Sequence, residues 1–453
     1  MNPASSTSAF PHRTGHPMLK ATTSLGVIFF PAFDWAISPT HPEREERLLY
    51  TQDQFREEGL FDIEGISEHR PLFATDQDIM RAHFCFPSVE AICTESHRIS
   101  AGGAIQAARL VLEGETRRAF ALVRPPGHHA MKVVHGNRGF CNINIEAVMI
   151  EWIRERYGRK RIAIVDTDCH HGDGTQDVYW HDPDVLFISL HQDGRTLYPG
   201  SGFPYENGGP RALGKTINLP LPPRTSDEGY LYAIEQVVLP ILADFKPDLV
   251  INSAGQDNHY SDPITNMQFS AQGYARLNEL LKPDIAVLEG GYSIKGALPY
   301  VNLGICLAMA GCEYSGVREP DYNSAALRES PETMETIRQT CGYVLDTYFH
   351  PPMGDFEKEG DSFIRERKIY YDTDGILEKQ REELKDCDQC RGLRLIKTSS
   401  SHLLPCLGVE LPIDCCPACE REGYEAFARS GKEFLVSQLL DQKNKQFRYL
   451  PKK

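Results

Sequence analysis

A chain of 453 residues, 41% hydrophobic and 25% charged, is too long for one average domain and has the composition of an ordinary globular protein. Its net charge of −15 argues against a general binder of nucleic-acid backbones, which needs clustered Lys and Arg, and no apolar run approaches the roughly 18 to 20 residues of a membrane span. Thirteen cysteines, an odd number scattered mostly through apolar segments, suit a reducing compartment, so a cytoplasmic protein with no membrane and no nucleic-acid partner is expected.

The first twenty residues are rich in Ser, Pro, Thr and His, lack the apolar core of a secretory leader, and read as a flexible tail over 1–20. From Leu25 onward, the short apolar runs LGVIFF, RAFALV, RIAIVD, DVLFISL, PDLVINSAG and DIAVLEGG each read as a buried parallel strand. Helix candidates lie between them, such as Ser226 to Phe245, with Thr225-Ser226-Asp227-Glu228 as a capping box and Pro240 as an interruption near its end. This β-α-β-α order predicts an α/β fold over residues 21–347, with a central, mainly parallel sheet flanked by helices. Ligands bind such sheets at the carboxyl ends of strands. The polar clusters RPPGHHA, DTDCHHGDG, SAGQDNH and EGGY all fall there.

Composition changes beyond about Tyr348. Residues 348–375 read as a linker and 376–453 as a small Cys-rich module with a terminal helix, in which the charged segment Ile376 to Lys385 is expected to be helical.

The densest chemistry is in VDTDCHHGDGT, Val165 to Thr175. If the strand continues past Val165, Asp166, Asp168 and His170 share one face. Two carboxylates side by side call for a cation, and Asp with His suits catalytic Zn²⁺, with Asp257 of SAGQDNH as the best-placed third ligand. His128 and His129 are adjacent in a loop stiffened by two prolines, a poor arrangement for a core, and Asp166 and Asp173 remain to orient them.

With HPEREERL, VRPPGHHA, GFCNINIEA, VDTDCHHGDGTQ, ISLHQDG, YPGSG, NLPLPP, SAGQDNHYSDP and LEGGY in that order across about residues 25–345, the chain resembles the histone deacetylase and acetylpolyamine amidohydrolase superfamily, class II-like and prokaryotic in kind, which shares the arginase-like α/β fold. The resemblance implies that Asp168, His170 and Asp257 hold zinc, that His129 paired with Asp173 is the general base, and that His128 paired with Asp166 assists. Tyr292 would stabilise the oxyanion. Gly139, Phe140 and Tyr198 would line an acyl-lysine channel, and a K⁺ would sit near Asp166, Asp168, His170, Ser189 and Leu190. The implied activity is removal of acetyl or other short acyl groups from protein lysines. Acetylpolyamine hydrolysis is the alternative, and an acyl-lysine-binding protein without activity a third reading. Superfamily members that take polyamines can carry a carboxylate just after SDP, where this chain has Ile264. Two departures stand out: Gln256 replaces an aromatic residue before Asp257, which predicts a different pocket wall, and MKVVHGNR lacks the common acidic loop.

Two further motifs need weighing. GPRALGKT, Gly209 to Thr216, fits a phosphate-binding loop in letters, but it runs into INLPLPP, whose prolines preclude the helix such a loop requires. Cys387-x-x-Cys390 and Cys416-x-x-Cys419 resemble a zinc ribbon and predict a second, structural Zn²⁺, with Cys406 and Cys415 as alternative ligands and free thiols as the plain alternative. The sequence specifies no oligomeric state.

Overall fold

The computed structural model describes residues 19–452 apart from 159, 326, 353 and 355. The expected tail lies outside the described residues except for its last two, and Lys20 already opens the first strand. In chain order the strands of the first part are β1 (Lys20–Phe30), β2 (Glu64–His69), β3 (Phe84–Cys85), β4 (Arg118–Val123), β5 (Val133–Val134), β6 (Ile162–Asp166), β7 (Val185–Gln192), β8 (Thr216–Leu221), β9 (Leu249–Ala254) and β10 (Ile285–Leu288). β3 and β5 form a ribbon, and the other eight form one parallel sheet in the order β2-β1-β4-β10-β9-β6-β7-β8.

The six interior strands are mainly apolar because both faces are covered. Ala119, Ala121 and Val123 of β4 face a core built with helices Glu95–Leu112 and Ile145–Tyr157, while Phe120 and Leu122 face a second core with helices Ala271–Leu281 and Leu298–Ala310. The four polar clusters follow β4, β10, β9 and β6, which are contiguous in the sheet. Their carboxyl ends therefore open on one place.

Residues 227–245 are helical, as expected, but Ser226 does not cap them. Its N–H and hydroxyl both donate to the Glu329 carboxylate, at 2.8 and 3.0 Å. A π-helical turn over Ile234–Val238 precedes Pro240 and accommodates its missing N–H. GPRALGKT is a loop that runs into β8, with no helix after it.

The C-terminal region departs from expectation. β11 (Lys358–Glu359), β12 (Ser362–Tyr371), β13 (Ile376–Lys385), β14 (Arg394–Ser400), β15 (Leu403–Leu411), β16 (Val436–Asp441) and β17 (Gln446–Pro451) form a second sheet in consecutive order. The segment read as a linker thus supplies two strands, and the segment read as a helix is β13. Helix Pro417–Ser430 connects β15 to its parallel neighbour β16, so the chain ends on strands and not on a helix. Burial alternates along β13 because the sheet docks on the first part of the chain. Asp177 meets Arg365 and Arg367 at 3.2 and 2.5 Å, Lys132 meets Glu410 at 2.8 Å, and Gln438 Nε2 donates to the Cys85 carbonyl at 2.6 Å.

Candidate active site

β6 ends at Asp166, earlier than expected, and the chain then turns through side-chain bonds to its own backbone. Asp168 N–H donates to Asp166 Oδ1 at 3.1 Å, and His170 N–H to Asp168 Oδ1 at 2.8 Å. These turns, and not a continued strand, bring Asp168 and His170 together. The ligand atoms of Asp168, His170 and Asp257 lie within 4.8 Å of one another, and His170 Nδ1 stands 3.1 Å from Asp168 Oδ1 and 2.8 Å from Asp257 Oδ2. Asp166 is not in this group. It faces His128.

All three groups are buried. Burial pushes the His170 imidazole down, but Asp257 and Asp168 outweigh it and raise it to about 10, so the ring answers the two carboxylates as a cation would. A dication suits this donor set better than a proton shared among acids. Gly290 completes the cradle: its N–H donates to Asp168 Oδ2 at 2.7 Å, and a Cβ there would meet Asp257 Oδ2 at 2.5 Å and Asp168 Oδ2 at 2.6 Å.

Each histidine of the pair has its own carboxylate. His128 Nδ1 is 3.1 Å from Asp166 Oδ2, and His129 Nδ1 is 2.8 Å from Asp173 Oδ1. Their charge states diverge. Burial lowers His128, yet Asp168 and Asp166 raise it well above its ordinary value, whereas burial, with the charges of His128 and Arg138, drives His129 well below. The surroundings thus favour the charged form of one ring and the neutral form of its neighbour, 4.1 Å away between centroids.

Gly139 adopts φ +53°, and a Cβ on it would meet the His129 ring at 2.4 Å, so only glycine lets the 136–140 loop close over that ring. Phe140 is itself held at φ +69°, a costly conformation for an aromatic residue, and its ring packs edge-on against Tyr292 and His41. Tyr292 is buried, which keeps its phenol protonated, and its hydroxyl has no hydrogen-bond partner among the described residues. The predicted wall residues Gly139, Phe140, Tyr198 and Ile264 line one channel with His128, His129, His170 and Tyr292. Gln256 is absent from that wall. Its amide turns away to Asn302, beneath the Gly290-Gly291-Tyr292 loop, so this side chain does not make the different pocket wall that was expected of it.

Near the expected monovalent-cation site, Ser189 is the register partner of Asp166, its hydroxyl bonds His191 Nδ1 at 2.9 Å, and the Leu190 carbonyl accepts from Tyr230 at 3.3 Å.

Sequence reasoning missed four residues. Arg47 donates to the carbonyls of Gly291 (2.7 Å) and Glu289 (2.5 Å), pairs with buried Glu43 at 2.8 Å, and lies 4.9 Å from the Tyr292 ring centroid. The Glu289 carboxylate accepts the N–H groups of Gly127 and His128 at 2.7 and 3.0 Å. Asp262 accepts from the N–H groups of Tyr292 and Ile264, at 2.8 and 3.0 Å. Asp372, from the second sheet, also lines the channel. The placement of Arg47 and Glu43 four apart in HPEREERL was the one visible signal, and such a pair ordinarily marks a solvated helix face.

Cys387, Cys390, Cys416 and Cys419 form a second cluster, with sulfurs within 4.8 Å, and Cys406 and Cys415 stand outside it. One pair lies in the β13–β14 turn and the other at the start of helix Pro417–Ser430. The N–H groups of Gln389, Gly392 and Cys419 point at Sγ of Cys387, Cys390 and Cys416, at 3.4 to 3.5 Å. The Cys419 N–H draws the Cys416 thiol down to about 7, and donors aimed at sulfur in this way suit thiolates on a metal.

Four contiguous parallel strands that feed one channel lined with acid and imidazole mark the deacetylase-like class of α/β proteins. The histone deacetylase domain matches residues 85–302. The chain is 46% identical over 312 residues to a probable deacetylase of Archaeoglobus fulgidus, a match that covers 63% of this chain and 85% of that one. It is 37% identical over 235 residues to a histone deacetylase-like amidohydrolase of Pseudomonas aeruginosa, covering 50% of this chain and 60% of that one. The crystal structure of the HDA15 HD domain superposes with a TM-score of 0.63 at 28% identity, covering 72% of this chain and 97% of that one. The chain belongs to the histone deacetylase family.

Proposed function

We propose that the chain is a zinc-dependent amidohydrolase that removes acetyl or other short acyl groups from protein lysines. The observation that carries this reading is the pair of adjacent buried histidines, each against its own carboxylate, beside the cradle of Asp168, His170 and Asp257. Asp168, His170 and Asp257 would hold Zn²⁺, which when bound supplies Lewis acidity toward the acyl oxygen and toward water.

Asp173 accepts only, so Nδ1 of His129 carries the hydrogen and Nε2 is left as the base that takes a proton from the attacking water. His128, charged against Asp166, offsets negative charge as it develops and passes a proton to the departing amine. Tyr292 donates its unpartnered hydroxyl to the carbonyl oxygen as the carbon becomes tetrahedral. Arg47 and Asp262 position that tyrosine through the one peptide that precedes it, Arg47 at the Gly291 carbonyl and Asp262 at the Tyr292 N–H. Gly139, Phe140, Tyr198 and Ile264 enclose the methylenes of the amine.

Acetylated polyamines are the second substrate reading, favoured by the Asp372 carboxylate at the mouth. The same proposal assigns a structural Zn²⁺ to the four clustered cysteines, a K⁺ to the carboxylates and carbonyls around Asp166, Ser189 and Leu190, and catalysis to residues 21–347. No disulfide joins any of the thirteen cysteines and no described helix is long and apolar enough to cross a membrane; thiols kept reduced support a reducing, cytoplasmic setting. The test is turnover of acetyl-lysine peptide, longer-acyl peptides and acetylated polyamines, side by side, by zinc-loaded protein. Hydrolysis of none of them refutes the reading.

A further inference from the structure

The wall of the channel is not made by the catalytic part alone. The β12–β13 turn reaches across to the 136–140 loop, where Asp374 Oδ2 accepts the Asn137 N–H at 2.6 Å. Asp372 Oδ1 accepts both the Gly139 N–H at 3.0 Å and the Tyr198 hydroxyl at 2.9 Å. The fit is close: a Cβ on Gly136 would meet Asp374 Oδ2 at 2.5 Å. Asp372 therefore touches two residues that line the channel, and it lines the channel itself beside His129 and Ile264.

This carboxylate has one oxygen engaged and the other without a hydrogen-bond partner among the described residues, and it is exposed. The nearby cation, Arg138, is engaged deeper, 2.6 Å from Asp173 and 5.5 Å from the Tyr198 ring centroid. An anion with a free oxygen thus stands beside the aromatic and apolar side chains of Phe140, Leu197, Tyr198 and Ile264 that line the same channel. The turn that carries it leads through β13 to the Cys387–Cys390 knuckle, all of it beyond the residues 85–302 that match the family domain.

We infer that Asp372 is a specificity-determining residue, supplied by the C-terminal sheet, that recognises a cationic nitrogen on the substrate several methylenes beyond the acyl amide. The inference rests on the proposed function for what enters the channel. Ile264 packs methylenes and leaves a cation unpaired; Asp372 supplies the missing charge, and a charge-assisted hydrogen bond gives it direction. The cation has two sources, the free ammonium of an acetylated diamine or polyamine and a basic side chain beside an acyl-lysine in a peptide.

The experiment compares an N-acetylated diaminobutane with its neutral isostere, N-acetyl-aminobutanol, as ligands of the full zinc-loaded chain carrying His129→Ala to suppress turnover. Dissociation constants come from ligand-observed NMR at low and high salt, alone and with Asp372→Asn or Asp374→Asn added. Asn at 372 keeps a carbonyl oxygen for the Gly139 N–H and the Tyr198 hydroxyl and removes only the charge. The charged ligand should bind about twofold to fivefold tighter, as an exposed pair allows, and the preference should shrink with salt. It should vanish with Asp372→Asn and persist with Asp374→Asn. No preference, a preference that survives Asp372→Asn, or equal loss in both variants overturns the assignment. Acetyl-lysine peptides with and without a basic neighbour, measured in the same way, separate the two sources. Turnover by the protein with His129 intact is read independently: a charge preference without hydrolysis leaves the Asp372 assignment standing and sinks the hydrolase reading.

Discussion

Replacing Tyr292 with Phe separates chemistry from packing. The ring is buried against Phe140 and lies under the Arg47 guanidinium, contacts that a phenylalanine ring keeps. The hydroxyl has no hydrogen-bond partner among the described residues and leaves little space when removed, so folding stability should change by less than about 0.5 kcal/mol. Turnover should fall by about 10²- to 10³-fold, or ~2.7 to 4 kcal/mol, because one preorganised donor to the developing oxyanion is gone. KM should change far less than kcat, since the donor acts mainly in the transition state. The assay pairs a thermal melt with steady-state hydrolysis of an acetyl-lysine peptide at fixed zinc occupancy. A rate within about twofold of wild type would remove Tyr292 from the mechanism, and a melting point lowered by many degrees would show that the hydroxyl was holding structure.

Asp168→Ala should lose one metal equivalent and hydrolysis together, as read by metal analysis and turnover; full activity in metal-free protein would contradict the cradle. Joint substitution of Cys387 and Cys390 by Ser should release a second equivalent, and unchanged stoichiometry would favour free thiols. Asp177 bears on pH: burial would raise its carboxyl, yet Arg367, Arg365 and Arg394 pull it down to about 2, against about 3.9 in an unfolded chain. Its contribution, on the order of 2 to 3 kcal/mol, is therefore full above about pH 4 and lost as pH falls toward 2, so Asp177→Asn should lower the melting point at pH 7 and flatten its fall below pH 4. Equal melting points for variant and wild type at pH 7 would exclude that role.

The central sheet was legible where strands are buried on both faces. Its six interior strands are the six apolar runs of the sequence, and the two not recognised as strands, β2 and β8, are the edges. β2 reads EGISEH and has too few apolar residues to stand out, while β8 carries Pro220, which an edge tolerates and an interior strand does not. The metal cradle was legible because Asp-x-His and the following Asp257 concentrate acid and imidazole at strand ends. Its supports were not. Arg47 and Glu43 look like a surface pair until Arg124, whose guanidinium also binds Glu43, is placed beside them, and all three side chains are buried.

β13 shows the physical limit more sharply. ILEKQREELK has helix-forming residues at nearly every position, and its apolar residues do not alternate, so neither propensity nor pattern points to a strand. Yet Glu378, Gln380 and Glu382 all turn inward, against partners that neighbouring strands and the catalytic part supply. Glu378 accepts from Tyr371 and Thr398 at 2.7 and 2.6 Å, and Glu382 is held by Arg394 at 2.5 Å and by His181, which lies 201 residues earlier in the chain. An inner face of Glu, Gln and Glu would be prohibitive against apolar neighbours and is stable only with these donors in place. Alternation is therefore present in burial and absent from hydropathy. The strand's identity lies in its counter-charges, and the same docking that makes β13 a strand carries Asp372 to the channel mouth.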